Sequence, residues 1–404
     1  MEDSSTDVWV TGIGLVSSLG EGNATHLEAL SEAGRAPILN ETTYRPYTVH
    51  PLAPVDFNRQ IPKKSDQRQM EPWQRIGVYA AGKALEDAGI AKDLALLQKT
   101  NLVVAAGSGE RDASVDAKVL ETIGSRADTD VLAKEILPGA LRPTLFLAQL
   151  SNLLAGNISI VHNVTASSRT FMGEEMAGIS AIENTFRRIR GGQGDVFLVG
   201  GALNAEREDL LLGYELGRNL WSRPFRAVWE RREPGSEGGL VPGSMGAFLV
   251  LEQRRHAEAR GRKPYARLTQ VVSDRSRLRP GEAAEAMGRL IRRMAPGPGP
   301  LAVLSGACGV EPVTSDERTF LEDLPRLGLE QAIRAYGSRL GHGVEANFPA
   351  GIALAALALG ERRFYPPCPS SGIEKPFSSS LDRVLVTGLG HWRGEALALL
   401  DRPS

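Results

Sequence analysis

The sequence predicts an α/β fold, because short apolar runs that end in glycine alternate with helical segments. The apolar runs are continuous rather than alternating in polarity, which is typical of strands covered on both faces. Such strands are predicted at residues 8–12, 101–107, 195–201, 247–251, 302–306 and 384–388. Helices are predicted between them at residues 74–88, 176–189, 281–294 and 349–360. Strands interleaved with helices in this way indicate sheets packed between helical layers.

Two of the predicted strands have similar sequences. Residues 8–14 are V-W-V-T-G-I-G, and residues 384–390 are V-L-V-T-G-L-G. An internal duplication would produce such a similarity. Two strands that both end at a glycine turn explain it at least as well.

Composition and charge exclude several functional classes. The 404 residues include 47 Lys and Arg against 48 Asp and Glu, and this balance predicts binding neither to nucleic acid nor to an anionic membrane surface. No apolar run approaches the ~18–20 residues of a membrane span, so no membrane insertion is expected. Only Cys308 and Cys368 are present, and the acidic, polar residues 1–5 do not resemble a signal peptide. These features predict a cytoplasmic location.

The most specific motif begins at Ser222. It consists of S-R-P-F at 222–225, a glycine-rich loop, G-x-x-G-A-F-L-V-L-E at 243–252, H-A at 256–257, R-G at 260–261 and Y-A at 265–266. This order resembles the β-ketoacyl–acyl-carrier-protein synthases of the thiolase superfamily, and the resemblance extends from the strand at residue 8 to Gly390. It implies a thiolase-like αβαβα fold of five layers, built from two similar halves at residues 1–250 and 251–404. It also implies a dimer that uses no cofactor and no metal.

In this family, a cysteine thiolate at a helix N-terminus accepts the acyl chain. Ungapped counts forward from N-x-x-A-G-x-I-S at 152–159, and backward from V-G-G at 199–201, both reach Glu175. The string G-E-E-M-A-G at 173–178 is similar to the G-E-Q-x-G-G string of chain length factors, the inactive partners of type II polyketide ketosynthases. The resemblance therefore places Glu175 at the nucleophile position.

Glu175 has two interpretations that stay open. A carboxylate in the first turn of a helix is stabilised by ~0.3–1 kcal/mol, so Glu175 could serve only to keep the helix in place. Alternatively it fills the vacant acyl site or contacts a partner subunit. In either case a carboxylate is no substitute for a thiolate in acyl transfer, and it would repel malonate.

The resemblance also assigns the other active-site positions. The family's first histidine corresponds to Cys308, in A-C-G-V at 307–310, with Asp316 as the acid downstream of it. The second histidine is retained as His342, and the lysine expected five residues earlier is Gly337. A buried thiol is the simpler interpretation of Cys308, since free cysteine is commonly buried. A hydrogen-bonded remnant is the simpler interpretation of His342.

Two further departures concern the substrate channel. Glu345 stands where the family usually has a small residue. The family's Gly-Phe-Gly gate corresponds to Gly388, Leu389 and Gly390, and these three are the predicted substrate-binding positions. A smaller aliphatic side chain thus replaces the gating phenylalanine.

Two functions remain open. The favoured hypothesis is a non-catalytic subunit of type II fatty acid or polyketide synthesis that pairs with an active ketosynthase and shapes the acyl channel. Its partners would be that ketosynthase, or a second copy of itself, and an acyl carrier protein; one specific product would be the very-long-chain fatty acid of lipid A. The alternative is an acyltransferase, an active 3-oxoacyl–acyl-carrier-protein synthase, or a malonyl decarboxylase with a non-standard site. A homodimer that binds acyl chains without catalysis is a third possibility.

Overall fold

Strands and helices alternate along the chain in the computed structural model, which describes residues 6–125, 129–141, 146–147, 149–231, 238–277 and 279–403. The strands are β1 Val8–Ser17, β2 Gly20–Glu21, β3 Asn101–Ala106, β4 Ser168–Met172, β5 Val196–Leu203, β6 Met245–Gln253, β7 Ala266–Asp274, β8 Gly299–Ser305, β9 Leu329–Ala335, β10 Arg383–Leu389 and β11 Glu395–Asp401. Residues 1–5, which carried the argument about a signal peptide, lie outside the described residues.

The helices vary widely in length. They are α1 Asn23–Ser31, α2 Lys64–Gln69, α3 Pro72–Asp87, α4 Leu94–Leu97, α5 Ala113–Gly124, α6 Thr129–Val131, α7 Leu137–Ala140, α8 Leu153–His162, α9 Glu175–Arg190, α10 Glu208–Leu216, α11 Arg254–Ala259, α12 Glu282–Met294, α13 Val313–Asp323, α14 Gly337–Leu340 and α15 Asn347–Glu361. Within the described part of the chain, no helix is both long enough and apolar enough to cross a membrane.

The sheet has the same topology in its two halves. Its order is β4-β3-β5-β6-β1-β7-β11-β10-β8-β9, with β2 paired to β1. Outward from the centre and with β2 left aside, the strands of the first half lie in the order β1, β6, β5, β3, β4, and those of the second half in the order β7, β11, β10, β8, β9. In each half the first strand in the chain is therefore followed in space by the fifth, the fourth, the second and the third. The parallel and antiparallel pairings also match, and an antiparallel contact between β1 and β7 joins the halves. The boundary at residue 250 stays a prediction.

The similarity between residues 8–14 and 384–390 does not mark equivalent positions. Residues 8–14 lie in β1, the first strand of its half, whereas 384–389 lie in β10, the fourth strand of the other. The strand predicted at 8–12 also continues through a bulge to Ser17. Glycine is needed in this segment because α3 packs closely against it. A Cβ on Gly14 would lie 2.0 Å from the carbonyl oxygen of Ala80.

Three hydrophobic cores separate five layers. One core lies between the first half-sheet and α3 and α8, and another lies between the second half-sheet and α12 and α13. The central core contains α9 and α15, which pack between the two half-sheets. Because α15 is surrounded, its residues from Asn347 to Leu359 are all buried, and it is apolar on every side. This arrangement confirms the predicted thiolase-like α/β fold.

All six predicted strands and four predicted helices are present, but five strands of the described residues had not been predicted. They are the two-residue β2 and the longer β4, β7, β9 and β11. Strand β4, S-R-T-F-M, lies at the edge of the sheet and is largely exposed, while β7 and β9 carry polar residues. The sequences of these three strands therefore lack the continuous apolar pattern of strands buried on both faces. Strand β11, E-A-L-A-L-L-D, does carry an apolar run and was missed all the same.

Candidate active site

Glu175 is the first residue of α9, directly after the short link that leaves β4. Its helix approaches the 3₁₀ turn Val344–Ala346 very closely, since a Cβ on Gly178 would lie 2.3 Å from the carbonyl oxygen of Glu345. Only glycine permits this approach. The contact brings the N-terminus of α9 against the loop that carries His342.

The Glu175 carboxylate lies between two imidazoles. Its Oε1 is 2.7 Å from Nε2 of His342. Nδ1 of His391 lies 3.0 Å from Oε1 and 3.2 Å from Oε2. The three side chains are buried, with Glu175 and His342 each 2 % exposed and His391 7 % exposed. Both imidazoles therefore donate to one carboxylate that water hardly reaches.

Charge stabilises this arrangement. Burial by itself raises the pKa of Glu175, but the charge of His391 and the hydrogen bonds from both histidines outweigh it and hold that pKa well below its usual range. Burial lowers the pKa of His391, yet the Glu175 charge and hydrogen bond bring it above the ordinary value of 6.5. The pair is thus a carboxylate and an imidazolium over a broad range around pH 6.

Two further glutamates lie near this cluster. Burial, together with the Glu175 charge, raises the pKa of Glu345 to about 8, so this carboxyl is mainly neutral at pH 7. Its Oε1 occupies the space beside Gly107, where a Cβ would lie only 2.4 Å away. Glu174 is partly exposed and accepts a hydrogen bond from the indole of Trp392.

Cys308 lies in the link between β8 and α13 and is 1 % exposed. Its Sγ accepts a hydrogen bond from the amide of Val310 at 3.4 Å, and its carbonyl oxygen accepts one from Arg231 at 3.3 Å. Burial and the Glu175 charge raise the pKa of the thiol to about 12. A thiol in this state is not a nucleophile near neutral pH.

The residues at the expected positions of the acid and the lysine, Asp316 and Gly337, have roles in the local packing. Asp316 accepts hydrogen bonds from the amides of Gly281 and Ala283 at 2.9 and 3.2 Å, which caps the start of α12. Gly337 begins α14, and a Cβ there would lie 3.3 Å from the carbonyl oxygen of Ala307 and 3.4 Å from Cγ2 of Val228. A lysine at 337 would therefore have to displace close neighbours.

The predicted gate lies in the core. Leu389 ends β10, is 1 % exposed and packs in the core of the second half. Gly388 lies against Phe348, and Gly390 closes a turn in which its amide donates to the carbonyl oxygen of Gly394 at 2.9 Å. The side chains that reach the cavity at Glu175 belong to the next three residues, 391–393.

A cavity of about 780 Å³ adjoins Glu175, within the size range of small-molecule sites. Its apolar wall is formed by Trp73, Phe171, Met172, Leu203, Leu210 and Tyr214. Its acidic and basic lining residues are Glu174, Glu175, Arg207, Asp209, Arg275, Glu345, His391 and Arg393. Such a space suits an extended apolar group.

His391 is the site residue that the sequence did not reveal. It follows the gate triplet directly and is one of six histidines, but no family motif singles it out. Glu174, Glu175 and His391 also bring ligand atoms within 4.8 Å of one another, as a metal site would require. The Nδ1 of His391 already donates to Glu175, however, so the protonated pair does not offer that atom to a metal.

Comparison with known families agrees with this architecture. The family model for the "Beta-ketoacyl synthase, N-terminal domain" matches residues 5–257, more than half of the chain. The 3-oxoacyl-[acyl-carrier-protein] synthase 2 of Vibrio cholerae is 27 % identical over 272 residues, which cover 65 % of this chain and 62 % of that protein. The corresponding protein of Rhizobium meliloti is 28 % identical over 206 residues, or 50 % and 46 % of the two chains. These matches span less than two thirds of either relative.

Solved structures show the same fold over nearly the whole chain. The ishigamide ketosynthase/chain length factor aligns with a TM-score of 0.78 at 19 % identity, covering 98 % of this chain and 99 % of that one. A β-ketoacyl synthase from Burkholderia phymatum STM815 gives 0.77 at 17 % identity, covering 98 % and 100 %. A type II polyketide synthase acyl-carrier protein in complex with its ketosynthase gives 0.72 at 15 % identity, covering 98 % and 99 %.

Proposed function

The chain belongs to the β-ketoacyl synthase family, and we propose that it is a non-catalytic member that pairs with an active ketosynthase. The observation that carries this proposal is the Glu175 carboxylate held between His342 and His391. Condensation needs a thiolate to take the acyl chain and free histidines to stabilise the enolate. Here a carboxylate stands at the nucleophile position, and both imidazoles are bonded to it.

The remaining site residues support the same conclusion. The Cys308 thiol, with a pKa of about 12, is no substitute nucleophile. The ionised Glu175 would repel the carboxylate of a malonyl group. The fold of the family is present although the catalytic groups are not. We therefore infer that the protein serves through its folded shape rather than through catalysis.

An exposed edge strand supports pairing with a second chain. Strand β4 is hydrogen-bonded to β3 on one side, and no strand of the described residues covers its other side. Met172 at its end is 72 % exposed, and Ile160 on α8 is 70 % exposed. Further exposed apolar side chains come from the segments between β3 and α8: Leu120, Ile123, Leu141, Phe146 and Leu147. Exposed edges and apolar patches of this kind mark association surfaces.

The cavity at Glu175 gives the proposed subunit a role in the pair. It is large, and it includes Phe171 and Met172 of the same edge strand. A partner docked on β4 would therefore lie beside the cavity, and the two chains together would bound an acyl channel. An acyl carrier protein would deliver the chain to the active partner.

Co-expression with the ketosynthase encoded nearest to this chain tests the proposal. We expect a stable heterodimer by native mass spectrometry, and no condensation when the purified chain alone is given acyl and malonyl carrier proteins. The Ile160→Lys variant should weaken the complex at least tenfold, whereas Leu327→Lys, at an exposed apolar position (45 %) in another part of the chain, should not. A chain that forms no complex, or that condenses alone, would overturn the proposal.

A second candidate, malonyl decarboxylation, is favoured by one observation. His391 supplies a second imidazole at the site although Cys308 replaces the family's first histidine. If the Glu175 carboxylate moved away from them, the two imidazoles could stabilise the enolate that forms when carbon dioxide is lost. Release of acetyl carrier protein from malonyl carrier protein, lost in His342→Ala and His391→Ala, would support this function; its absence in both wild type and Glu175→Gln would exclude it.

The product class is a further proposal. The relatives in Vibrio cholerae and Rhizobium meliloti are 3-oxoacyl synthases, which favours a fatty acyl chain, with the very-long-chain acid of lipid A as the specific case. The type II polyketide synthase complex among the structural neighbours favours a polyketide. Mass spectrometry of the chain attached to the carrier protein distinguishes the two.

A further inference from the structure

A second cavity, of about 310 Å³, lies where the loop after α1, the end of β9, α14 and residues 365–374 meet. It shares no lining residue with the cavity at Glu175. Its walls are largely apolar, and the main contributors are Leu30, Phe225, Tyr336, Leu354, Tyr365 and Pro366. This volume is at the lower end of the range of small-molecule sites.

Two arginines in the wall form no ion pair with any described residue, although the charge of Glu374 acts on Arg334. Arg334 is 5 % exposed and donates to three carbonyl oxygens: its Nε to Tyr365 at 2.7 Å, and its Nη1 to Ile333 at 2.6 Å and Lys375 at 2.9 Å. These bonds leave its Nη2 without a partner among the described residues. Arg339 donates through Nη2 to the carbonyl oxygen of Ala29 at 2.9 Å, while its Nε is buried without an acceptor.

The acids that line this cavity are already hydrogen-bonded to the main chain. Glu374 accepts from the amides of Ala335 and Cys368 at 2.9 and 2.8 Å, and Glu230 accepts from the amide of Ala227 at 3.2 Å. Arg35 and Arg226 also line the cavity, and both have interactions of their own, Arg35 as an exposed ion pair with Glu32. The cavity is therefore largely apolar, and the unused donors in its wall belong to Arg334 and Arg339.

Buried charges in proteins are normally paired, because removing a lone ion from water costs several kcal/mol. Burial lowers the pKa of Arg334 to about 10, and burial together with Arg35 lowers the pKa of Arg339. Both shifts indicate that the guanidinium groups are held where a charge is disfavoured. An anion in the cavity would remove this cost and would accept their unused N–H groups.

We propose that this second cavity binds a small amphipathic anion, whose carboxylate or phosphate pairs with Arg334 and Arg339 while its apolar body packs against Phe225, Leu354 and Tyr365. The site is separate from the acyl channel and does not depend on the function proposed for it. The walls admit a compact apolar group rather than a nucleotide or a long acyl chain, since the volume is less than half that of the first cavity.

Calorimetric titration of the purified full chain with octanoate and with octyl phosphate tests this site. Arg339→Met removes the charge and keeps the stem, and Ala36→Trp fills the cavity from its exposed loop. As the matched control, Gly213→Trp fills the first cavity, at a position where a Cβ meets no atom within 4 Å. We expect at least tenfold weaker binding in Arg339→Met and in Ala36→Trp, and unchanged binding in Gly213→Trp.

The comparison of the two probes identifies the head group, since the tighter binder shares the chemistry of the natural ligand. Binding that is lost in Gly213→Trp but kept in Arg339→Met would locate the probe in the first cavity and overturn the proposal. Failure of both probes to bind the wild type at about 1 mM would overturn it as well. Circular dichroism and the melting temperature establish whether each variant is folded. If Arg339→Met does not fold, Ala36→Trp still tests the proposal.

Discussion

Glu175 and Arg334 are both buried, but the groups that surround their charges differ. Glu175 receives hydrogen bonds from two imidazoles, one of which carries a positive charge that balances its own. Arg334 and its neighbour Arg339 donate only to carbonyl oxygens and form no ion pair within the described chain. In the first cluster the charge is balanced within the protein, although Nδ1 of the His342 ring has no partner among the described residues. In the second, no carboxylate of the described residues forms an ion pair with either guanidinium, and only the more distant charge of Glu374 acts on Arg334.

This difference separates a structural role from a binding role. The Glu175 carboxylate already accepts from both histidines, so its cluster is suited to joining α9 of the first half to the His342 and His391 loops of the second. Guanidinium groups with unused N–H groups around a cavity are suited to a ligand. Mutations that remove one charge at a time should therefore affect the two clusters differently.

Removal of the Glu175 carboxylate should have the largest effect. In Glu175→Ala, two buried histidines lose their acceptor, and breaking a buried charged pair costs about 3–5 kcal/mol of unfolding free energy. Urea denaturation measures this loss. The control is Glu174→Ala, whose partly exposed carboxylate should contribute no more than about 1 kcal/mol. Equal effects in the two variants would show that the cluster does not hold the halves together.

Arg334→Met should come second, with a loss of about 2–3 kcal/mol. The cause is the loss of hydrogen bonds to three carbonyl oxygens, which contribute about 1.5–3 kcal/mol each. The total is smaller than their sum, because removing the guanidinium also removes the several kcal/mol that its burial costs. The matched control is Arg326→Met, an exposed arginine paired only with Asp323, which should change the stability very little. If Arg334→Met proves more stable than the wild type, burial of the guanidinium costs more free energy than its hydrogen bonds contribute.

The pH dependence should show that the Glu175 cluster is ionic. The stabilisation from Glu175, whose pKa is lowered, is present above its ordinary value of 4.5 and fades as pH falls through the lowered pKa. The stabilisation from His391, whose pKa is raised, is complete below 6.5 and fades as pH rises through the raised pKa. The stability difference between wild type and Glu175→Gln should therefore be largest between about pH 4.5 and 6.5.

Above pH 6.5 this difference should decrease, because His391 loses its proton as the pH rises through its raised pKa. Denaturation midpoints at intervals from pH 5 to 7.5 measure the change. Both proteins carry Glu345→Gln as a common background, because the pKa of Glu345, raised to about 8 by burial and partly by Glu175, would make the stability depend on pH over the same range. His391→Gln should remove the dependence. A difference that does not vary with pH would mean that His391 is neutral and that Glu175 is held by hydrogen bonds alone.

Arg339→Met should have the smallest effect on the free protein, within about 1 kcal/mol, because Arg339 makes one hydrogen bond and no ion pair in the described structure. Its effect should appear when ligand is present. Octanoate or octyl phosphate should raise the melting temperature of the wild type and leave that of Arg339→Met unchanged. A large loss of stability without ligand would instead assign Arg339 to the scaffold.

Much of this protein could be predicted from its sequence alone. The continuous apolar strands and the motif from Ser222 predicted the thiolase-like α/β fold, because strands buried on both faces leave a pattern that does not depend on distant contacts. Counting from two flanking motifs placed Glu175 at the start of a helix, where the structure has it. The edge strand β4 was missed because its residues are exposed and its sequence therefore carries no such pattern.

The partners of Glu175 were decided by tertiary structure. His342 and His391 follow Glu175 by 167 and 216 residues, and the packing of the two halves around α9 and α15 brings the three side chains together. The unpaired state of Arg334 and Arg339 is equally invisible in the sequence, where glutamates lie nearby and would be expected to pair with them. Local patterns report which residues are buried, but the partner that a buried charge finds depends on how distant segments pack.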